Sequence, residues 1–207
     1  FFRYILDNEF SNLKEKISKF LILGLLLFLL AKTRSVGYAG IGAIILFFAF
    51  NGKFKDIGYT LGSFGLFYFI LKGIKGFFFG ISSSHQFGQL NRLLAENPYK
   101  PNGKQENLIG FIERFWGNSE LYLSKHVYKF LGLRPDVLDT STILTIITYA
   151  IFALALYYAF RKNKYLLFTG IYIAVMCGVT FLILQTRWDQ PRLILVFFPL
   201  ILLFLLS

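Results

Sequence analysis

Charged residues in this chain are excluded from long apolar runs. Residues 20–31, 143–160 and 193–206 hold no charged side chain. That segregation constrains the fold more than any other feature, because a charge placed mid-bilayer costs at least about 2.5 kcal/mol. The chain is 56% hydrophobic, against about 45–50% for a soluble domain. The excess sits in the runs and the charges sit between them. The expected fold is all-α, a polytopic transmembrane helical bundle of about six spans.

Six apolar stretches are candidate spans: residues 17–31, 36–50, 57–71, 141–160, 165–185 and 192–207. The first three are short against the ~20 residues a spanning helix requires, and snorkelling Lys and Arg at their ends make up the difference. Ser11, Leu13, Ile17 and Phe20 predict an amphipathic start leading into the first of them. Lys32-Thr33-Arg34, Asn51-Gly52-Lys53 and Lys72 close the first three, and Arg161-Lys162-Asn163-Lys164 closes the fourth. Gly58 and Gly62 have the spacing that lets helices approach closely, or they reflect the general frequency of glycine in membrane helices. The organisation is then residues 1–71, an amphipathic segment and three spans; residues 72–140, a long loop; and residues 141–207, three more spans.

The net charge of +11 flanks apolar runs rather than forming a patch on a soluble domain. It suits anchoring at lipid headgroups, and nucleic acid is not an expected partner. Short connections on one side carry Arg3, Lys14, Lys16, Lys19, Lys53, Lys55, Arg161, Lys162 and Lys164, and those on the other carry Lys32, Arg34, Arg187 and Arg192. The positive-inside rule puts the first set, and the N-terminus, in the cytoplasm of a multi-pass cell-membrane protein. The 72–140 loop is then extracytoplasmic. Cys177 is the one cysteine, and His85 and His126 lie far apart without cysteine partners, so neither a disulfide nor a metal site is expected. No motif calls for a cofactor. Both ends read as cut, which predicts an internal piece of a longer chain, or a chain completed by a missing N-terminal part or a partner.

The long loop predicts amphipathic surface helices. Residues 73–81, aromatic and glycine-rich, suit an interface, and residues 86–94 suit a short helix. Residues 96–103 are dense in turn formers. Leu108, Phe111, Ile112 and Phe115 fall at helical spacing, with Glu106, Glu113 and Arg114 on the other face. Asn118-Ser119 reads as a helix cap, followed by a second stripe of Leu123, Val127, Phe130 and Leu131 that Gly132 and Pro135 end. Such helices either roof an outer-face cavity or only cover the bundle.

The densest polar cluster beside a span is Gln185-Thr186-Arg187-Trp188-Asp189-Gln190-Pro191-Arg192. Two guanidinium groups at a bilayer surface grip a phosphate well, since each can bind two oxygens. Arg187 and Arg192 are the candidate phosphate ligands. Asp189 is placed to orient one of them, and Trp188 and His85 are further supporting candidates. The alternative is an interfacial anchor, with Arg paired to Asp189 and Trp188 in the headgroups.

The run from Arg192 through Ile194 and Val196 to Pro199 resembles the arginine-then-proline helix start of polytopic glycosyltransferases that use polyprenyl-phosphate sugars. These include the protein O-mannosyltransferases and the bacterial aminoarabinose transferases of lipid A. Arg187-Trp188-Asp189-Gln190 is similar to bacterial members of that group. The resemblance is specific over residues 185–203 and architectural elsewhere. It implies transfer of a sugar from a polyprenyl-phosphate carrier to an acceptor on the outer face. A carboxylate would be general base, and Arg187 and Arg192 would stabilise the departing lipid phosphate. The family's acid belongs in the first outer loop, and Lys32-Thr33-Arg34-Ser35 has none. The catalytic residue therefore stays unassigned, and Glu113 and Glu120, each beside a base, read as surface ion pairs. A non-catalytic scaffold subunit is the alternative function. A lipid flippase or other transporter ranks behind it, because no charge lies well inside a span.

Overall fold

A computed structural model describes residues 12–33, 37–79, 95–96, 104–133, 139–185 and 189–206. These are helical almost throughout, with one isolated antiparallel bridge between Ala95 and Gln105. The chain divides into two compact units, residues 1–82 and 83–207. Three helices are long and apolar enough to cross a membrane: Phe54–Phe78, Thr142–Lys162 and Lys164–Ile183.

The first unit holds α1 (Leu13–Thr33), α2 (Gly37–Phe50) and α3 (Phe54–Phe79). Asn12 starts α1, its Oδ1 accepting from Lys14 N at 3.0 Å. Lys14, Glu15, Lys16 and Lys19 crowd the first two turns of α1, so its charge-free stretch begins only at Phe20. The α2 helix has 14 residues, a rise of about 21 Å, short of a ~30 Å hydrocarbon core. It ends as its sequence predicts: Gly52 takes φ +67°, Lys53 N donates to Phe48 O and Gly52 N to Ala49 O. This is the paired capping of a Schellman motif. The α3 helix does not stop at Lys72. It runs through Lys72, Gly73, Lys75 and Gly76 to Phe79, so residues 73–79, expected at the interface, extend the helix. Lysine is a good helix former, and its stem lies along apolar surface while its head reaches water.

The α1 and α3 helices run parallel in one register. Lys16 pairs with Asp56 at 2.6 Å, Phe20 meets Tyr59 at 5.5 Å between ring centres, and Lys32 lies 5.2 Å over the Tyr68 ring. Their close approach is at Gly24. A methyl group there would come within 2.7 Å of the Ser63 carbonyl carbon. By contrast, a methyl on Gly58 or Gly62 meets nothing within 4 Å, so the spaced glycines do not make this contact. Gly24→Ala is expected to push the helices apart at a cost of about 1–3 kcal/mol. Gly62→Ala should be neutral, or stabilising by up to ~1 kcal/mol through helix propensity. Thermal unfolding of the two variants in detergent checks the contrast.

In the second unit, α4 (Leu108–Glu120) continues unbroken through a π-helical stretch (Leu121–His126) into α5 (Val127–Phe130). Asn107 caps the start, its Oδ1 accepting from Gly110 N at 2.7 Å, and Gly132, with φ +70°, ends it. Pro135 lies outside the described residues. This rod packs against α6 (Thr142–Lys162) and α7 (Lys164–Ile183). Asn163 joins those two, its Oδ1 accepting from Tyr165 N at 2.9 Å to start α7.

The final stretch is expected as one helix and is instead two, α8 (Arg192–Leu195) and α9 (Phe198–Leu206). Pro199 explains the break: it has no N–H for the Leu195 carbonyl, and its ring would clash with that carbonyl in a continuous helix. Phe197 N turns to Ile194 O at 2.9 Å instead.

The rod corrects two expectations. Asn118-Ser119 is no cap. Both residues are fully buried in mid-helix. Nor is Arg114 on a wet face. It is 2% exposed, while Leu108 is 83% and Ile112 67% exposed. At this end of the rod the arginine turns into the protein while Leu108 and Ile112 turn out, beside an exposed Glu113. A similar arrangement marks α6, where Thr145 is fully buried and Ile143 is 71% exposed. For α6, long and apolar enough to cross a membrane, lipid as solvent accounts for it: apolar side chains lose nothing by facing hydrocarbon, whereas polar ones need protein partners.

Candidate functional site

Leading into α8, the segment Asp189–Arg192 is tied to the π-helical stretch of the rod. Asp189 takes Lys125 on one carboxylate oxygen and His126 on the other: Lys125 Nζ is 2.8 Å from Oδ2 and His126 Nε2 is 2.8 Å from Oδ1. The next residue is held through its backbone, Tyr122 OH donating to Gln190 O at 3.4 Å. The Gln190 side chain then accepts from Arg192 Nε at 2.9 Å. A chain of polar contacts thus runs from the rod to the arginine that opens α8.

Three neighbours fix this stretch of rod. Tyr122 stacks on Phe181 of α7, ring centres 5.7 Å apart and planes 17° from parallel. Ser124 accepts from Ser141 N at 2.9 Å, where α6 begins. Ser119 and Tyr149 share a hydrogen bond of 2.7 Å between hydroxyls. The wide helical turn itself is a feature common at functional sites. Its i-to-i+5 pattern is seen where Val127 N donates to Tyr122 O.

The electrostatics follow from burial and pairing. Burial pushes the Tyr122 hydroxyl up to about 12, so it remains a donor. Burial holds His126 below the ordinary histidine range, against the pull of the Asp189 charge. The Lys125 hydrogen bond holds Asp189 below the usual carboxylate range. Near neutral pH the pair is therefore a neutral imidazole beside an ionised carboxylate. Arg192 is exposed, and among the described residues no carboxylate pairs with it. Lys129 lies near enough to His126 to disfavour its charged form.

Of the residues singled out from the sequence, Arg192 and Asp189 stand here. Arg187, Trp188 and His85 lie outside the described residues. Asp189, read as an orienter of arginine, holds Lys125 and His126 and reaches Arg192 only by way of Gln190. Glu120 forms no surface ion pair among the contacts described. Its Oε1 accepts from Trp116 Nε1 at 3.1 Å and from Thr142 Oγ1 at 2.5 Å. Lys125 and His126 were not legible as site residues. They lie 64 and 63 positions before Asp189, and no local pattern links them.

Behind Tyr122 a cavity of about 10 Å³ is lined by Tyr122, Cys177, Thr180, Phe181, Ile194 and Phe197. It is apolar and holds at most about one water, so a substrate would have to bind at the exposed rim. No group of acids, histidines and cysteines among the described residues is placed to hold a metal. No protein-family model, curated protein or solved structure matches this chain.

Proposed function

We propose that this chain forms part of a membrane glycosyltransferase that takes a sugar from a polyprenyl-phosphate carrier on the extracytoplasmic face. In this reading the six apolar stretches all cross the cell membrane, the N-terminus is cytoplasmic, and the rod of residues 108–130 stands at the outer side. Arg192, with Arg187 beside it in sequence, binds the lipid phosphate and stabilises its charge as the sugar leaves. The acid that would act as general base is not assigned to any residue.

One observation carries the proposal: Arg192 is exposed at the start of α8 without a carboxylate partner among the described residues, while the neighbouring acid is already taken by Lys125 and His126. An arginine whose paired acid is occupied elsewhere is left for an external anion. Its Nε is committed to Gln190, which aims the guanidinium and leaves its outer nitrogens available.

Arg192→Ala is expected to weaken binding of a polyprenyl monophosphate in nanodiscs by about 10–100-fold, the loss of one or two charge-assisted hydrogen bonds. Binding of the uncharged polyprenol should not change, nor should thermal stability. Equal retention of the phosphate by wild type and Arg192→Ala would overturn the reading. The small apolar cavity favours a second reading, a non-catalytic scaffold subunit. That reading expects Arg192→Ala to leave lipid retention and complex assembly alike unchanged.

A further inference from the structure

The segment that carries Arg192 is tethered to the rod at few points, and one of them is a buried histidine with an unmet need. The His126 side chain is 3% exposed. Its Nε2 makes a short contact with Asp189 Oδ1, out of line for a well-formed hydrogen bond, and its Nδ1 is buried with no hydrogen-bond partner. Asp189 itself stands at the rim, with its side chain 47% exposed. The tether thus has a dry end and a wet end, and its dry end titrates.

We infer that His126 is a positioning residue for Arg192, and that its proton state sets how firmly the Asp189–Arg192 segment is held. The inference rests on the phosphate reading only for what Arg192 binds; the holding itself does not. With a neutral ring, the carboxylate of Asp189 is shared between Nε2 and Lys125, and an empty lone pair on Nδ1 is tolerated. Protonation by solvent places a second N–H at Nδ1, facing no acceptor in a buried site. The ring then gains by moving toward water. Asp189 moves with it, and the contacts through Gln190 to Arg192 loosen.

The charges acting on His126 divide as follows. Asp189 favours the protonated ring, and Lys125 and Lys129 on its own helix oppose it along with burial. The α6 helix, packed against this stretch, carries no charge before Arg161, and α7 carries none after Lys164. The α8 helix adds only Arg192, another cation. Burial outweighs the carboxylate, so the folded chain binds this proton less readily than the unfolded one. The sign follows: the tether is fully present above the ordinary histidine pKa of about 6.5 and is lost as pH falls below it.

The test uses the full chain in nanodiscs, as wild type and as His126→Gln, whose amide can donate to Asp189 without titrating. The unfolding midpoint of the wild type should fall between pH 7.5 and 5.5, and that of His126→Gln should stay level. Affinity for a polyprenyl monophosphate should drop about tenfold over the same interval in the wild type alone. An unfolding midpoint with the same pH dependence in both proteins would sink the inference. If the midpoints behave as expected but neither protein binds the phosphate at any pH, the tether stands and the glycosyltransferase reading fails. Should His126→Gln not fold, imidazole hydrogen exchange of the wild type decides. A His126 pKa below about 6.5 with slow exchange supports the tether, and one at or above that value overturns it.

Discussion

Replacing Arg114 by leucine is expected to lower the unfolding free energy by about 3–5 kcal/mol, the loss seen when one partner of a buried ion pair is removed. The guanidinium is 3% exposed and sits 2.5 Å from Glu106, itself only 15% exposed. The same nitrogen donates to the carbonyls of Ala95 at 2.8 Å and Glu96 at 3.1 Å. It therefore joins the start of the rod to the Ala95–Gln105 bridge, where two short segments otherwise share little besides Glu96 N donating to Lys104 O. Leucine fills part of the volume but leaves a carboxylate and two carbonyls without their donor. Arg114→Leu combined with Glu106→Leu should recover much of the loss, because the stranded charge is gone as well. Urea or SDS titration of the detergent-solubilised chain measures both. A single variant within about 1 kcal/mol of wild type would show that Arg114 is solvated rather than clamped.

Asn118→Leu should cost about 2–4 kcal/mol and act at a distance along the chain. The Asn118 amide nitrogen donates to Phe181 O at 3.0 Å and to Leu184 O at 3.1 Å. The first is one of the last four carbonyls of α7, which have no partner within their own helix, and the second belongs to the residue that caps it. In water such groups find solvent, but beside the buried centre of a helical rod they do not. Leucine matches asparagine in size and donates nothing, so hydrogen exchange should quicken at residues 180–185 while the start of α7 is unchanged. Asn118→Asp should be worse than leucine, because it sets carboxylate oxygens against carbonyl oxygens. Unaltered exchange at residues 180–185 would show that the helix end is satisfied from elsewhere.

Both effects come from polar residues on the rod, and their roles show how unevenly this protein can be read from its sequence. The apolar runs are helical at all six expected places, the last broken in two, and three of the helices are long and apolar enough to cross a membrane. Local capping was legible too. The Asn51-Gly52-Lys53 stop and the Gly132 stop are both built as their residues demand, since such caps depend on four or five consecutive residues. The candidate phosphate ligand Arg192 was visible because it stands at the edge of an apolar run, where a cation needs a reason.

The rest depended on contacts between distant segments. Asn118-Ser119 has the composition of a helix start, and Leu108, Ile112 and Arg114 have the spacing of an ordinary surface helix. Periodicity shows that a helix has two faces but does not say which solvent each one meets. Arg114 and Asn118 turn inward to the carbonyls of Ala95 and Phe181, while Leu108 and Ile112 turn out. Likewise, Lys125 and His126 become partners of Asp189 only because the rod packs beside α6 and α7. The sequence by itself determined where helices form and how several of them are capped, because those are decided by hydrophobic runs and by caps a few residues long. Only the tertiary structure decided which polar groups meet, because buried hydrogen bonds and ion pairs are satisfied across the fold by whichever donors the packing brings within reach.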